Sequence, residues 1–468
     1  MKKKLTVIPL FFFFLIISFA QEKKIDFVEY DLDNGMHVIL HQDNSTPIVA
    51  VSIMYHVGAK NEQPNKTGFA HFFEHLMFEG SPNIERGEFF KIVQSNGGIL
   101  NANTDFDRTY YFEVMPSNKF ELGLWLESER MLQLKIDSIG VETQRGVVIE
   151  EKRQSYDNRP YGSILSETFS HAYKKHPYRW ITIGDIEHIK SATLEEFKAF
   201  HDMYYVPNNA VLSIAGDIDL DEAKELIEKY FGEIPRGTKP IYRPNANRVA
   251  RRFEGKKVFQ KEEINTPDIV EPAQTEEVRN EVYDNIQLPA VIMAYHIPER
   301  EHEDYYAIQM LSTLLSGGQS SRMNKAIVDE QQKAIFAGSF PLALEDPGLL
   351  LSFAIVNMGV EASDLENSMN TEVEKVKNEL ISEKEFQKLR NQIENNFVSS
   401  NSTVSGIAQS LATYYTYQGD ASLINTELDK YMEVTKEDIQ RVAKKYFAKK
   451  NRVVLHYLPK AQQKKEEK

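Results

Sequence analysis

The sequence contains no cysteine among its 468 residues. This absence excludes disulfide bonds, thiolate metal sites and cysteine nucleophiles together. A transition metal bound by this chain would therefore have to be held by histidine and carboxylate side chains.

Basic blocks are also missing. The formal net charge is −14, from 55 Lys and Arg against 69 Asp and Glu, and no basic segment interleaved with aromatic residues occurs in the folded portion. Because nucleic-acid binding depends on such basic surfaces, we do not expect a nucleic-acid partner.

Long apolar runs are absent beyond the first 20 residues, so no later segment is expected to span a membrane. Residues 1–20 combine three lysines, an apolar run and Ala20 at a cleavage position, which predicts a secretory signal. An uncleaved anchor is the alternative, but the run is shorter than the roughly 20 residues a spanning helix needs, and Pro9 interrupts it. We therefore expect an exported protein, periplasmic or secreted, with no membrane contact after signal removal.

The sequence has the composition of a globular protein, with 41% hydrophobic and 26% charged residues, and its length exceeds that of one usual core. Two pairs of segments resemble each other: residues 192–217 and 434–459, and the runs "TPIVAVSIMYHVG" and "LPAVIMAYHIP". This repetition predicts an α+β fold with two homologous domains, each an antiparallel sheet packed with helices. The expected organisation is a signal (1–20), an N-terminal domain (21–235), a linker (236–275), a C-terminal domain (276–460) and a charged tail (461–468).

The segment "GFAHFFEHLMFEG" places two histidines and a glutamate in an aromatic run whose length favours a helix. Residues four apart share a helix face, so His71 and His75 can bind one cation, while Glu74 can reach a water molecule at the metal. The order H-x-x-E-H inverts the H-E-x-x-H motif of zinc proteases. The alternative is a pair of core histidines, which would be costly to bury without a charge to pair.

A catalytic zinc needs a third protein ligand and an open position. The segment "TQRGVVIEEKRQ" offers Glu151, which follows Val147 and Val148 by four and three residues and so would share their inward face. Glu150 is the second candidate, and a solvated charge run is the alternative for both glutamates. The metal centre is therefore expected to hold one zinc ion per chain.

The chain resembles the pitrilysin family of zinc metallopeptidases, which includes insulin-degrading enzyme and the mitochondrial processing peptidases. The resemblance covers almost all of the mature chain, through the blocks "NGMHVIL", "MYHVGAKNE", "GFAHFFEHLMFEGSPN", "GGILNANTDFDRTYYF", "QRGVVIEEKRQ", "HPYRWITIGDIEHI" and "YYVPNNAVLSIAGDID". It implies zinc ligands at His71, His75 and Glu151, with Glu74 as general base. It also implies that a peptide substrate adds a β-strand along Asn101, Ala102, Asn103 and Thr104.

This sequence departs from the family pattern at two places. Relatives usually have a supporting glutamate seven residues before the third ligand, where this chain has Gln144, an amide that cannot supply negative charge. An arginine and a tyrosine that help relatives bind substrate and stabilise the oxyanion match Val328 and Ile335 here, and neither can donate a hydrogen bond. Either a homologous metal-free partner subunit supplies these groups, or the alignment is shifted and Arg322 takes part.

The sequence thus predicts an exported zinc endopeptidase that cleaves unfolded peptides, working with a homologous partner or as a homodimer. A catalytically silent peptide-binding subunit is the main alternative, although the motif residues are all present. A metal-storage protein is the third, but histidines such as His176 and His296 are scattered and are interpreted as core or surface residues.

Overall fold

The computed structural model describes residues 24–237 and 269–462. The predicted signal lies outside the described residues, as do most of the predicted linker and most of the charged tail. The first half contains strands and helices with these bounds: β1 Val28–Asp31, β2 His37–Gln42, β3 Ile48–Tyr55, α1 Phe69–Leu76, α2 Glu88–Ser95, β4 Ile99–Thr104, β5 Thr109–Pro116, α3 Phe120–Gln133, α4 Ser138–Lys152, α5 Ile164–Ala172, α6 Ile186–Ser191, α7 Leu194–Tyr204, β6 Ala210–Gly216 and α8 Leu220–Phe231.

The second half repeats the plan with a smaller sheet. Its elements are β7 Val278–Asp284, β8 Ala290–His296, α9 Tyr305–Ser316, β9 Ala334–Leu342, β10 Leu349–Val356, α10 Ala362–Asn378, α11 Glu383–Ser400, α12 Val404–Gln418, α13 Glu427–Glu433, α14 Lys436–Tyr446 and β11 Arg452–Pro459. Two π-helical turns, Arg153–Asp157 and Asn324–Glu330, interrupt this regular structure.

The two sheets have equivalent strand orders, β1-β2-β6-β3-β5-β4 in the first half and β7-β11-β8-β10-β9 in the second. Each sheet contains one parallel pair, β2 with β6 and β7 with β11, and its other neighbours are antiparallel. The repeated segments form the same unit in both halves, a capped helix followed by the strand between the parallel and antiparallel neighbours. The predicted α+β fold with two homologous domains is confirmed.

The halves exchange helices across their sheets. Helix α5 of the first half packs on one face of the second sheet, where Phe169 joins a core that includes Ile292 and Leu455. Helix α12 of the second half packs in turn on the first sheet, where Leu411 and Ala412 meet Met54. Because each half buries apolar surface of the other, the two domains share cores instead of meeting only at a polar boundary.

Strand β4 forms the outer edge of the first sheet, next to α1. Its neighbour within the described residues is β5, with Asn101 opposite Phe112 and Thr104 opposite Thr109. An edge strand leaves one row of backbone donors and acceptors open to another chain.

Candidate metal centre

Helix α1 begins at a close approach between two glycines. Gly68, at φ +92°, caps the helix, and a Cβ added there would lie 2.8 Å from the Ile183 carbonyl oxygen. Its N–H donates to Glu62 Oε2 at 2.8 Å, and the Ala70 N–H donates to Glu62 Oε1 at 2.9 Å. Glu62 is buried, and burial raises its pKa to about 8. A glycine and a glutamate thus set where the motif helix starts, which places its histidines.

Helix α4 reaches the same place from another direction. Its N-terminus is capped by Asp137, which accepts from the Gly140 N–H at 2.8 Å, and at its C-terminus Lys152 Nζ donates to the Gly184 carbonyl at 2.6 Å. Gly184 packs against Gly68, so the end of α4 is tied to the start of α1. Each helix therefore positions the other.

The three predicted ligands meet at one point. His71 Nε2 lies 3.5 Å from Glu151 Oε1, and His75 Nε2 lies 3.1 Å from Glu151 Oε2. The three side chains can each offer a ligand atom, all within 4.8 Å of one another, and they form the one such group found among residues 24–237 and 269–462. The His71 side chain, followed by that of His75, holds the pKa of Glu151 well below its usual range.

This arrangement fits zinc. Ligand atoms about 2.0–2.2 Å from a tetrahedral ion stand about 3.4 Å apart, which matches the observed imidazole–carboxylate separations. Two histidines and one glutamate are also a donor set found in catalytic zinc sites, which leave the fourth position open. Glu151 remains about one-third exposed, so the site can be reached from solvent.

Of the two candidate third ligands, the structure brings Glu151 to the histidines. Glu150 lies on an outer face of α4, where Gln154 donates to it at 2.8 Å and Arg153 lies 3.7 Å away. The helical-face prediction was only half right: Val148 is buried, as expected, but Val147 is 44% exposed. The inward face of α4 is therefore narrower than the predicted one.

Glu74 turns toward strand β4. Thr104 Oγ1 donates a 2.7 Å hydrogen bond to Glu74 Oε2, which joins the motif glutamate to the predicted substrate strand. Elsewhere on the strand, Ala102 is buried, its N–H bonds to Asn101 Oδ1 at 2.9 Å, and Arg108 donates to the Asn103 carbonyl at 3.1 Å. The four predicted residues therefore lie on the sheet edge beside the metal centre.

Gln144 was predicted to support the metal ligands, but its side chain contacts Glu79 instead. Its Nε2 donates to Glu79 Oε1 at 2.6 Å, and Glu79 is in turn paired with Arg86. Within the described chain, His71 Nδ1 is buried without a hydrogen-bond partner. The amide thus supports a neighbouring carboxylate, and the predicted support of the metal ligands is not seen in its contacts.

The structure places the two second-half positions in different surroundings. Val328 packs against the second-half core, and Ile335 is 53% exposed at the start of β9. Arg322 is engaged by Glu385, with Nε at 3.0 Å and Nη2 at 3.2 Å from its two oxygens. The guanidinium proposed as an alternative is therefore already paired.

Comparison with known proteins decides the family. The sequence model described as "Insulinase (Peptidase family M16)" matches residues 37–185, and "Peptidase M16 inactive domain" matches residues 191–393. The chain belongs to the peptidase M16 family. The three candidate ligands and Glu74 fall within the first matched region, and the second matched region begins in the first half, at residue 191.

Individual relatives agree with this assignment. The chain is 32% identical over 418 residues to "Zinc protease PqqE" of Helicobacter pylori, with 89% of each chain covered. It superimposes on a crystal structure of a protease from Helicobacter pylori with a TM-score of 0.84 and 30% identity, covering 93% of this chain and 100% of that one. The periplasmic protease PqqL from Escherichia coli shares the fold, with a TM-score of 0.73 and 16% identity, and covers 94% of this chain and 48% of that one.

Two features of the site were not predicted from sequence. The Glu62 cap was missed because a glutamate seven residues before the first residue of a helix carries no local signal. The second is Tyr156, in the π-helical turn directly after α4. A five-residue widening of a helix has no periodicity that would reveal it in the sequence.

Proposed function

We propose that this chain is an exported zinc-dependent endopeptidase that hydrolyses unfolded peptides, with Glu74 as general base. The convergence of His71, His75 and Glu151 beside Glu74 is the observation that carries the proposal. The family membership and the relatives named zinc proteases support it. One zinc ion per chain is expected, because the described residues form one such cluster.

A zinc ion at this centre supplies Lewis acidity and lowers the pKa of water there to about 7. The chain's own residues supply the rest. Thr104 holds Glu74 Oε2, which leaves Oε1 to take a proton from the attacking water and deliver it to the leaving amine nitrogen. The peptide lies along the outer edge of β4, so its scissile bond is presented beside Glu74.

Strand addition explains why unfolded peptides are the proposed substrates. The backbone of residues Asn101, Ala102, Asn103 and Thr104 can bond only to an extended segment, and main-chain bonds accept many side chains. A folded domain does not offer such a strand. The binding energy would therefore come from chain conformation more than from sequence.

Export is supported by the first 20 residues, whose sequence is that of a secretory signal. In the part of the chain that the structure describes, every helix is too short or too polar to cross a bilayer. A structural neighbour is named a periplasmic protease. The periplasm or the medium is the proposed location.

A homologous, metal-free partner subunit is part of the proposal. The family resemblance assigns an arginine and a tyrosine to the positions of Val328 and Ile335, whose side chains donate no hydrogen bond. Glu385 is paired with the Arg322 guanidinium. The partner would provide substrate contacts that the second half of this chain lacks. A heterodimer is proposed, with a homodimer as the alternative outcome of the test below.

The test is to purify the mature chain alone and together with a co-expressed homologous chain, and to measure zinc content and cleavage of a peptide mixture in parallel. Glu74→Gln is expected to keep stoichiometric zinc and lose cleavage by a factor of about 10² or more. Activity found only in the pair would support the partner, whereas full activity in an isolated monomer would remove it. Zinc binding with no cleavage in either preparation would favour a silent peptide-binding subunit.

A further inference from the structure

The second half of this chain offers no side-chain hydrogen-bond donor at Val328 and Ile335, the two positions to which the family resemblance assigns oxyanion stabilisation. Val328 and Ile335 have apolar side chains, and the Arg322 guanidinium is held by both Glu385 oxygens. Carbonyl hydrolysis is faster when a hydrogen-bond donor, in addition to a Lewis acid, stabilises the negative charge that develops on the carbonyl oxygen. Such a donor could come from the first half, near the metal centre.

A π-helical turn follows directly on the helix that carries Glu151. It spans Arg153–Asp157, and the Asn158 N–H closes it on the Arg153 carbonyl at 2.8 Å. In an α-helix, a residue five positions after Glu151 would point about 140° away from it. A turn that closes from i to i+5 brings Tyr156 back toward the face of Glu151. Such turns occur frequently at functional sites.

The environment of the Tyr156 side chain agrees with this placement. The ring is half-buried against the core that lies behind α1. Burial, the charge of Glu151 and the charge of Glu74 together raise the pKa of the Tyr156 hydroxyl. The two carboxylates belong to different helices, Glu151 to α4 and Glu74 to α1. A raised pKa keeps the hydroxyl protonated, and therefore a donor, throughout the neutral range.

The Tyr156 hydroxyl has no hydrogen-bond partner among the residues that the structure describes. No protein acceptor bonds it, although the charges of Glu151 and Glu74 both act on it. Its donor is consequently available to a ligand. A donor without a partner beside a metal centre is where an anionic oxygen would bind best.

The chain after the π turn is fixed at its far end. Tyr161 has φ +62°, a strained backbone for a non-glycine residue, and its N–H donates to Asp284 Oδ2 at 3.0 Å. Its hydroxyl donates to the Leu288 carbonyl at 2.7 Å. Both acceptors belong to the second half, so the segment that carries Tyr156 is held between α4 and the second sheet. This restraint orients the side chain before substrate arrives.

We propose that Tyr156, brought to the metal centre by the π-helical turn, donates its phenolic hydrogen bond to the carbonyl oxygen of the bound peptide. The proposal rests on the proposed peptidase function and deepens it. The phenol keeps its proton throughout: the hydrogen bond strengthens as charge develops on the carbonyl oxygen and weakens when the peptide bond has broken. The oxyanion donor then lies in this chain, and the partner subunit contributes substrate binding.

The experiment compares Tyr156→Phe with Tyr30→Phe in the zinc-loaded mature chain, alone and with its homologous partner. Tyr30 is a matched control because it is also half-buried on the same core, with a hydroxyl that has no partner in the described chain. Three quantities are measured: zinc content, kcat and KM on one peptide, and calorimetric affinity for a phosphinic peptide, whose tetrahedral oxygens mimic the transition state.

Tyr156→Phe is expected to lower kcat by about 10² with KM nearly unchanged. It should also weaken the binding of the phosphinic peptide by about tenfold or more. Zinc content should equal that of the wild type, and Tyr30→Phe should match the wild type throughout. A kcat within about threefold of wild type, in a chain whose activity Glu74→Gln abolishes, overturns the Tyr156 assignment and leaves the peptidase function standing. A loss of zinc that accounts for the loss of kcat also overturns it. Absence of cleavage by the wild type with its partner removes both proposals.

Discussion

Thr104 Oγ1 donates a 2.7 Å hydrogen bond to Glu74 Oε2, and this contact joins the sheet edge to the motif helix. The proposed substrate strand and the proposed general base are thereby held together. A peptide paired with β4 would be held in register with the carboxylate that must accept a proton beside its scissile bond. Positioning of this kind contributes a large part of many enzymatic rate enhancements.

The first prediction concerns this hydrogen bond. Thr104→Val keeps the β-branched shape that suits a strand but removes the donor, so Glu74 can rotate. A hydrogen bond to a charged group is worth about 1.5–3 kcal/mol, so kcat should fall by about tenfold or more while zinc content stays unchanged. Steady-state kinetics and elemental analysis check this.

Thr104→Ser is the matched control, because it retains the hydroxyl. It should recover most of the activity. A wild-type rate for Thr104→Val together with a reduced rate for Thr104→Ser would mean that the methyl group matters and the hydrogen bond does not.

The second prediction concerns the third ligand. Glu151→Gln should lose zinc on dialysis, because an uncharged amide is a poor replacement for a carboxylate between two imidazoles. Glu150→Gln, one residue earlier on the same helix, should keep one zinc ion per chain because that side chain pairs with Gln154 and Arg153. Metal content after dialysis is the measurement. Retention of zinc by both variants would show that the ion is held elsewhere.

The motif helix and its histidine pair could be predicted because an i, i+4 pair depends on short-range spacing. Glu151 is 76 residues from His75. The helical-face argument favoured it but left Glu150 as a second candidate, and the family resemblance implied Glu151. The exposure of Val147 was not foreseen, since which strip of α4 faces inward is decided by α1 and α6, which pack on it. Long-range packing thus limits an argument from helical faces.

The side-chain contacts at the site could not be predicted from the sequence, for a related reason. Thr104 and Glu74 are 30 residues apart, and Gln144 and Glu79 are 65 apart. Neither pair has a sequence pattern, because a polar residue on a strand can equally face solvent. The exchange of α5 and α12 between the sheets was hidden for the same reason: an amphipathic helix shows which face it buries but not which sheet covers it.

The third prediction concerns the junction of the two halves. Lys60 Nζ lies 3.0 Å from Asp107, 2.6 Å from Glu345 and 3.2 Å from Asp346, and the last two lie in the loop between β9 and β10. Lys60→Met removes the positive charge that pairs with these three carboxylates, two of which are almost fully buried. Breaking a buried pair costs about 3–5 kcal/mol, so the free energy of unfolding should fall by about that amount.

Denaturant unfolding measures this change. The control is Lys91→Met, which removes an exposed pair with Glu88 and should leave the free energy of unfolding nearly unchanged. A loss no larger for Lys60→Met than for the control would show that the junction is held by apolar packing alone.

The fourth prediction concerns pH. Asp304 is fully buried, and although burial raises its pKa, hydrogen bonds from Lys445, Tyr446 and Arg441 lower it to about 2. Its value in the unfolded chain is about 3.9, so the ionised form stabilises the fold above about pH 4. This contribution is lost as the pH falls through about 2, where Asp304 becomes protonated in the folded protein too.

Asp304→Asn should therefore be less stable than wild type by about 2–3 kcal/mol at neutral pH, and the difference should shrink as the pH is lowered from about 4 toward 2. Urea unfolding of both proteins across that range gives the difference directly, which cancels the titration of the other carboxylates. Asp429→Asn, which removes an exposed carboxylate on α13, should show no such convergence. A difference for Asp304→Asn that stays constant with pH would mean that the lost contact is steric packing, because only a group whose pKa differs between the folded and unfolded chains makes stability depend on pH.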